Sequence, residues 1–468
     1  MAPDAPIAYE GLTRLLFLLV EHDTPCKLRL SLVVAPWSVS EISAAVAELP
    51  ADLRARVTVV LPRHETPFVV GLASQALRSA KALGAKAVAK SSPGSNSRTA
   101  KWIRKVVVAT RTRLHLHFRR RLGRYFTRLI KDVAGSGDVE CWLVLNLPTT
   151  FAELPRSQPV VALLADYAYS DFPDLAPPCL ERAFRKNCQR ILDQASRVIT
   201  MSSHVATRHA VAIFGIDMSR ISVIKSVAFR TPTEAFRQHH IRGGLAEARD
   251  VLRQEFRAAA LPTVHATLGQ HDARAYVFMP TQTRSYKNIE NVVRAIAILN
   301  RDGVPLTLVT TGELSPYLLA LAKASGLSGD AVLSVGKVSF RVLHALYICA
   351  GVVVHVSRFE GGVGAFPLFE GIVSEAPVVL SRNLATTEYC DDPRYIDSLV
   401  DQDDLPTLVR RISDALANRN TVVQSQRRYA SLAATNTWSD VSGYYCAVLC
   451  DAIETFLPTW QNRAQDSQ

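Results

Sequence analysis

Short, continuous apolar runs separated by amphipathic stretches recur from one end of this chain to the other. In the second half the runs are Tyr276–Met279, Leu306–Thr310, Val332–Val335, Gly351–Val356 and Val378–Leu380. Between them, Asn291–Asn300, Pro316–Ser325, Ser339–Cys349 and Pro367–Val373 carry helical patterning. A strand that is apolar throughout, with no polar alternation, is covered on both faces, which implies a parallel sheet between helices. The first half repeats the pattern, with strands expected at Arg29–Ala35, Val57–Leu61, Cys141–Leu145, Val160–Leu164, Val198–Met201 and Ile221–Ile224. Helices are expected over Val39–Leu49 and Cys179–Ala195, and Ser202-Ser203 opens another. Leu15–Val20, bracketed by Arg14 and Glu21, reads as one more buried strand. Between Thr231 and Ala273 the pattern weakens, and Arg242-Gly243-Gly244 and Leu261-Pro262 punctuate a partly helical connection.

A chain of 468 residues exceeds what one hydrophobic core organises. The expected architecture is α/β: two Rossmann-like domains, over 1–232 and 233–455, facing a ligand-binding cleft. A final helix is expected over Ser439–Phe456, and 456–468 form a tail returning to the first domain.

No apolar run is long enough to cross a bilayer. Asp4 stands where a signal peptide carries basic residues, so the expected location is the cytoplasm. The eight cysteines are scattered, without a CxxC pair or a Cys/His cluster, and read as free thiols with no metal site. The net charge of +12 is local, because 81–131 holds 15 Lys or Arg and no acid. Within it, Leu114, Phe118, Leu122, Phe126 and Leu129 recur at near-helical spacing among arginines. Two readings stay open for this basic amphipathic helix: docking on an anionic membrane surface, or an ordinary core-facing helix with a basic outer side. Nucleic acid is not expected, since no recognisable binding module accompanies the charge.

The densest chemistry lies in 357–370, where a strand gives way to a glycine-rich loop and then a helix beginning near Pro367. Gly362 and Gly364 let the backbone approach a ligand, and the helix start favours an anion such as a diphosphate. Glu360 at the strand end suits sugar hydroxyls, and Glu370 suits a ribose diol. The alternative is a tight turn with Glu370 complementing the helix dipole. Upstream, Arg284 and Lys287-Asn288 follow the first strand of this half, at the sheet end where such folds bind ligands, and suit a pyrophosphate. Asp166, Ser202 and His204 are first-half candidates for the cleft, or else turn and cap residues.

Taken in order, Arg284/Lys287-Asn288, Thr311-Gly312, Val335-Gly336-Lys337, Leu343-His344-Ala345-Leu346-Tyr347, Glu360…Glu370 and Ala376-Pro377-Val378-Val379 resemble the retaining glycosyltransferases of family four over about 275–440. Ala165-Asp166, Arg197–Ser202 and Trp438-Ser439 fit the same family more loosely. The resemblance implies the GT-B architecture. It assigns Lys287 and Arg284 to the donor diphosphate, Glu360 and Asp166 to catalysis at the sugar, and Glu370 to the ribose. It adds Asn288, Gly312, Gly362, Gly364, Phe366, Pro367 and Leu368 to the donor site. It further implies a nucleoside-diphosphate sugar as donor, a glycan or lipid-linked acceptor, and no bound metal.

The chain departs from that family at several places. Nine residues separate Glu360 from Glu370 where seven are usual, Gln282 stands five before Lys287, and Ala165 replaces a His before Asp166. A glycine-rich loop near the N-terminus is missing. The longer Glu loop is similar to a bacterial polysaccharide-assembly subgroup that includes mannosyltransferases, which puts GDP-mannose ahead of a UDP-sugar as donor. A non-catalytic glycosyltransferase-like subunit and a GT-B sugar-nucleotide epimerase remain as alternatives.

Overall fold

The computed structural model describes residues 19–21, 28–33, 42–43, 46–47, 49–60, 123–135, 137–148, 150, 152–225, 241–258, 276–336, 338–361, 366–388, 392–433 and 437–465. Gly362 and Gly364, and 81–122 of the basic stretch, lie outside them.

In the second half, β7 (Tyr276–Met279), β8 (Thr307–Thr310), β9 (Val332–Ser334), β10 (Val352–His355) and β11 (Val378–Leu380) form one sheet. Every pairing is parallel, in the order β11-β10-β7-β8-β9. The continuous apolar runs follow from cores on both faces. Tyr276 and Phe278 of β7 join Val353 and Val309 on one face, against helices α2 (Gly244–Ala258) and α5 (Phe340–Cys349). Val277 and Met279 join Leu308, Val352 and Val354 on the other, against α3 (Ile289–Arg301), α4 (Pro316–Ala324) and α7 (Leu405–Ala417). Helix α3 buries Ile289, Val292, Val293, Ile296 and Leu299, spaced as one helical face. Each such side chain contributes about 1.5–3 kcal/mol when fully buried.

The first half pairs β1 (Leu30–Val33) with β2 (Val57–Val60), and orders β3 (Trp142–Val144), β4 (Val160–Leu164), β5 (Arg197–Thr200) and β6 (Ile221–Val223) side by side, all parallel. Helix α1 (Pro178–Gln194) covers one face through Cys188, Ile191 and Leu192. Helix α9 (Trp438–Gln465) comes back to this half: Trp438, Val441 and Tyr445 share a core with Leu19, Leu32 and Val161, and Arg197 pairs with Asp451. The return thus begins at Trp438, where an apolar helix face needs cover.

Three elements differ from expectation. Leu19 and Val20 are buried but helical, so the described end of the Leu15–Val20 run is not strand. Helices α7 and α8 (Arg419–Ala433), which lie between the last strand and α9, were not expected; Asp404 caps the first by accepting from Thr407 N. The connection expected to be partly helical does contain a helix, α2, whose Ala248, Leu252 and Phe256 are buried at helical spacing. The described end of the basic stretch is a helix over 123–134 that buries Leu129 and Ile130 and packs Phe126 into the first-half core. Arg124, Arg128 and Lys131 are exposed. This is the core-facing arrangement; the apolar side of this helix is covered by protein. Among the described residues no helix is long and apolar enough to cross a membrane.

Candidate active site

The strand order of the second half creates the site. From β7 the chain runs outward to β8 and β9, then crosses back to lay β10 on the other side of β7. Between β7 and β10 the connections leave in opposite directions, and this switch point opens a crevice at the carboxyl ends of the strands. The two segments leaving there carry Lys287 and Glu360. They are laced together: Arg358 N donates to Tyr286 O at 2.7 Å. Ser357, fully buried, lies with its hydroxyl 2.6 Å from Phe359 O.

Lys287 Nζ donates to Glu360 Oε1 at 2.5 Å, and His355 Nε2 lies 2.7 Å from the same oxygen. The Lys287 and Glu360 side chains are each 13% exposed. Burial alone would push the Glu360 carboxyl up; Lys287 and then His355 overcome this and hold it well below the usual carboxylate range. Lys287 also lies 5.1 Å from the centre of the buried Tyr286 ring. Arg284, exposed beside it, donates to Tyr286 Oη at 2.9 Å and is within electrostatic reach of Asp166.

The first half closes over these groups. A Cβ on Gly361 would stand 2.6 Å from Ala165 O and 2.7 Å from Asp166 Oδ2, so only glycine allows this approach. Ser202 Oγ donates to Gly361 O at 3.1 Å. Glu388 accepts from Ser203 N and His204 N, both at 2.8 Å, at the start of a helix whose Val205–Ile213 stretch is π-helical. An aromatic cluster seals the contact: Phe359 lies 5.7 Å from His209, 5.8 Å from Phe172 and 6.1 Å from both His204 and Tyr286, measured between ring centres.

Asp171, His204 and His209 gather ligating atoms within 4.8 Å of one another. The hydrogen bonds oppose a metal there. His209 Nδ1 accepts from Tyr167 N at 3.0 Å, so a neutral ring carries its proton on Nε2, which faces Asp171 Oδ2 at 2.9 Å. Freeing Nε2 for a metal would require a proton on Nδ1, against the Tyr167 N–H. Burial, and after it His209, lower the pKa of His204, which keeps its ring neutral at pH 7.

The structure sorts the sequence-derived residues. Lys287, Glu360, Arg284 and Asp166 come together at the cleft. Asn288 does not present a side chain to it: fully buried at φ 57°, it occupies a left-handed turn into α3, and its Nδ2 donates to Gln402 O. Gly312 serves close packing, since a Cβ there would stand 2.6 Å from Thr281 O. Leu368 sits in the core, which leaves its backbone N–H as the group able to face a ligand. Pro367 and Glu370 are buried on helix α6 (Phe366–Val373), the element that begins with Phe366. His355, Tyr286, Phe359, Phe172, His209 and Glu388 were not singled out by sequence. Of these, His355 alone carries a signal, a titratable group ending an all-valine strand.

A cavity of about 840 Å³ lies on other elements, between α2, α5 and α8, lined by Ile241, Leu245, His344, Val373, Arg419 and Val423. Arg419 there donates to Ala350 O, Gly351 O and Glu375 O, tying helix and strand ends together. The switch point, with its paired charges, is the stronger candidate for chemistry.

No family model matches this chain, and no curated protein does. Solved structures match. The N-terminal domain of Candida albicans trehalose-6-phosphate phosphatase aligns over 96% of this chain and 95% of its own, with TM-score 0.53 and 10% identity. A glycosyltransferase from Rickettsia africae aligns over 95% of both chains at TM-score 0.51 and 11% identity. Sucrose-phosphate synthase from Thermosynechococcus elongatus aligns over 72% of this chain and 79% of its own, at TM-score 0.51 and 15% identity. At such identities the likeness speaks for the fold: an α/β protein with parallel sheets and the GT-B architecture of glycosyltransferases.

Proposed function

We propose that this protein is a glycosyltransferase that moves a hexose from a nucleoside-diphosphate sugar to a glycan or lipid-linked acceptor, with retention at the anomeric carbon. The observation that carries the reading is the Lys287–Glu360 pair at the switch point. It supplies a cation and a sugar-binding carboxylate where a GT-B fold would hold the glycosyl phosphate. In this reading Lys287 and Arg284 stabilise the charge developing on the leaving diphosphate, and the α6 start adds its dipole. Glu360 accepts from sugar hydroxyls, Glu370 from the ribose, and Asp166 faces the sugar from the first half. The bond from the anomeric carbon to the diphosphate oxygen breaks, and a bond to the acceptor oxygen forms on the same face. The acceptor proton passes to the departing phosphate. GDP-mannose is the favoured donor, on the spacing of the Glu loop.

Incubation with a panel of GDP- and UDP-sugars and candidate acceptors, read by mass spectrometry and by NMR of the new linkage, tests this. Glycosylated acceptor with the donor's anomeric configuration is expected. An epimerised sugar nucleotide with no acceptor product would identify an epimerase, and binding without turnover would identify a non-catalytic subunit.

A further inference from the structure

Among the described residues, Glu360 receives both of its hydrogen-bond partners on one oxygen. Lys287 Nζ and His355 Nε2 each approach Oε1, and neither approaches Oε2. The two partners are unlike in position. Lys287 sits in the segment leaving β7, while His355 is the last residue of β10, 4% exposed, and ligates Glu360 from within the strand.

The tautomer of His355 follows from its surroundings. Its Nδ1 is buried with no hydrogen-bond partner among the described residues. Nε2 faces a carboxylate oxygen at 2.7 Å, an acceptor only, so Nε2 carries a proton and donates it to Glu360. A donor diphosphate would compete for Lys287 as soon as it arrived. His355 cannot follow the diphosphate, because its only partnered nitrogen is committed to Glu360.

We infer that His355 is a positioning residue: it holds Glu360 by Oε1 so that Oε2 alone addresses the sugar, and keeps it there when the diphosphate draws on Lys287. The inference rests on the donor-site reading above. It predicts that His355 governs recognition of the sugar and leaves recognition of the nucleoside diphosphate untouched, a division that general loosening of the fold would not produce.

The test compares titration calorimetry of a nucleoside diphosphate and of the matching nucleotide sugar on wild type, His355→Phe and His355→Gln. Gln places its amide nitrogen near the level of Nε2; Phe fills the space with no donor. For His355→Phe, nucleoside-diphosphate affinity should stay within about twofold of wild type. Nucleotide-sugar affinity should fall about tenfold to a hundredfold, the effect of one lost hydrogen bond to a charged group. His355→Gln should recover most of that loss, and neither substitution should add to Glu360→Gln. Should the Phe variant not fold, His355→Asn, which ends level with Nδ1, replaces it with the same expectations. Equal loss of both ligands, an unchanged sugar increment, or a Gln variant as weak as Phe would each overturn the inference. Wild type that binds no nucleotide would overturn the donor-site reading and the inference with it.

Discussion

Lys287 and Glu360 lie 73 residues apart in sequence, yet their charged groups meet at 2.5 Å because β10 lies against β7. The pair sits at the carboxyl ends of the two strands whose connections diverge, and the buried Tyr286 and His355 close it on two sides. A cation and a carboxylate held together so close to solvent exclusion are neutral as a pair and available singly to a ligand that brings its own charge and hydroxyls.

That pairing has a pH signature. Lys287 lowers the Glu360 pKa in the folded state, so the native protein holds the carboxylate ionised where the unfolded chain would protonate it. Glu360→Gln should therefore be less stable than wild type at pH 7, by about 3–5 kcal/mol, the cost of leaving one charge of a buried pair without its partner. The gap should stay constant down to about pH 5 and shrink below about pH 4, as the unfolded carboxyl begins to bind protons. Urea denaturation across that range measures it; a gap that widens towards acid would contradict the assignment.

Gly361 marks where the halves touch. Gly361→Ala would drive a Cβ into Ala165 O and Asp166, and the expected cost is about 1–3 kcal/mol of overpacking. Because the strain falls between the halves, small-angle scattering should show a more open molecule while the circular dichroism of each half is retained.

Glu388 bridges the halves from the other side, accepting from Ser203 N and His204 N, while Lys225 Nζ donates to Glu388 O. Glu388→Ala removes a carboxylate from a helix start, worth about 0.5–2 kcal/mol. Hydrogen exchange should quicken at Ser203 and His204 before any other described amide of the first half.

Tyr445 is buried in the first-half core, and among the described residues its hydroxyl has no hydrogen-bond partner. Tyr445→Phe removes an unsatisfied polar atom and keeps the ring, so stability should rise or hold, by up to about 1–3 kcal/mol. Thermal unfolding reads this directly, and a clear loss would mean the hydroxyl has a bonded water.

The parts of the fold legible in sequence are those where one residue's neighbours in the chain decide its state. The runs Val160–Leu164, Tyr276–Met279 and Val378–Leu380 coincide with β4, β7 and β11, since a strand buried on both faces reads as a near-continuous apolar run. Helix α8 escaped because Arg419–Ala433 is mostly polar and owes its place to packing, through Val423 and through Gln426 bonding both polar groups of Val378. At the site, Lys287 and Glu360 were each legible from a strand end, but their contact depends on strand order. The Asp171–His209 contact spans 38 residues and two connections, and no local pattern announces it. Asn288 entered the donor site only through the family resemblance; no local pattern announced that the backbone uses it for a left-handed turn.

The central claim is that the switch point between β7 and β10 binds the diphosphate of a nucleotide sugar. Titration calorimetry of GDP and UDP into wild type and Lys287→Met tests it most directly. The account predicts that one of the two nucleotides binds wild type and that Lys287→Met, still folded, loses about tenfold or more of that affinity, the effect of one charge-assisted bond. Equal affinity in wild type and variant, or no binding of either nucleotide to wild type, would contradict it.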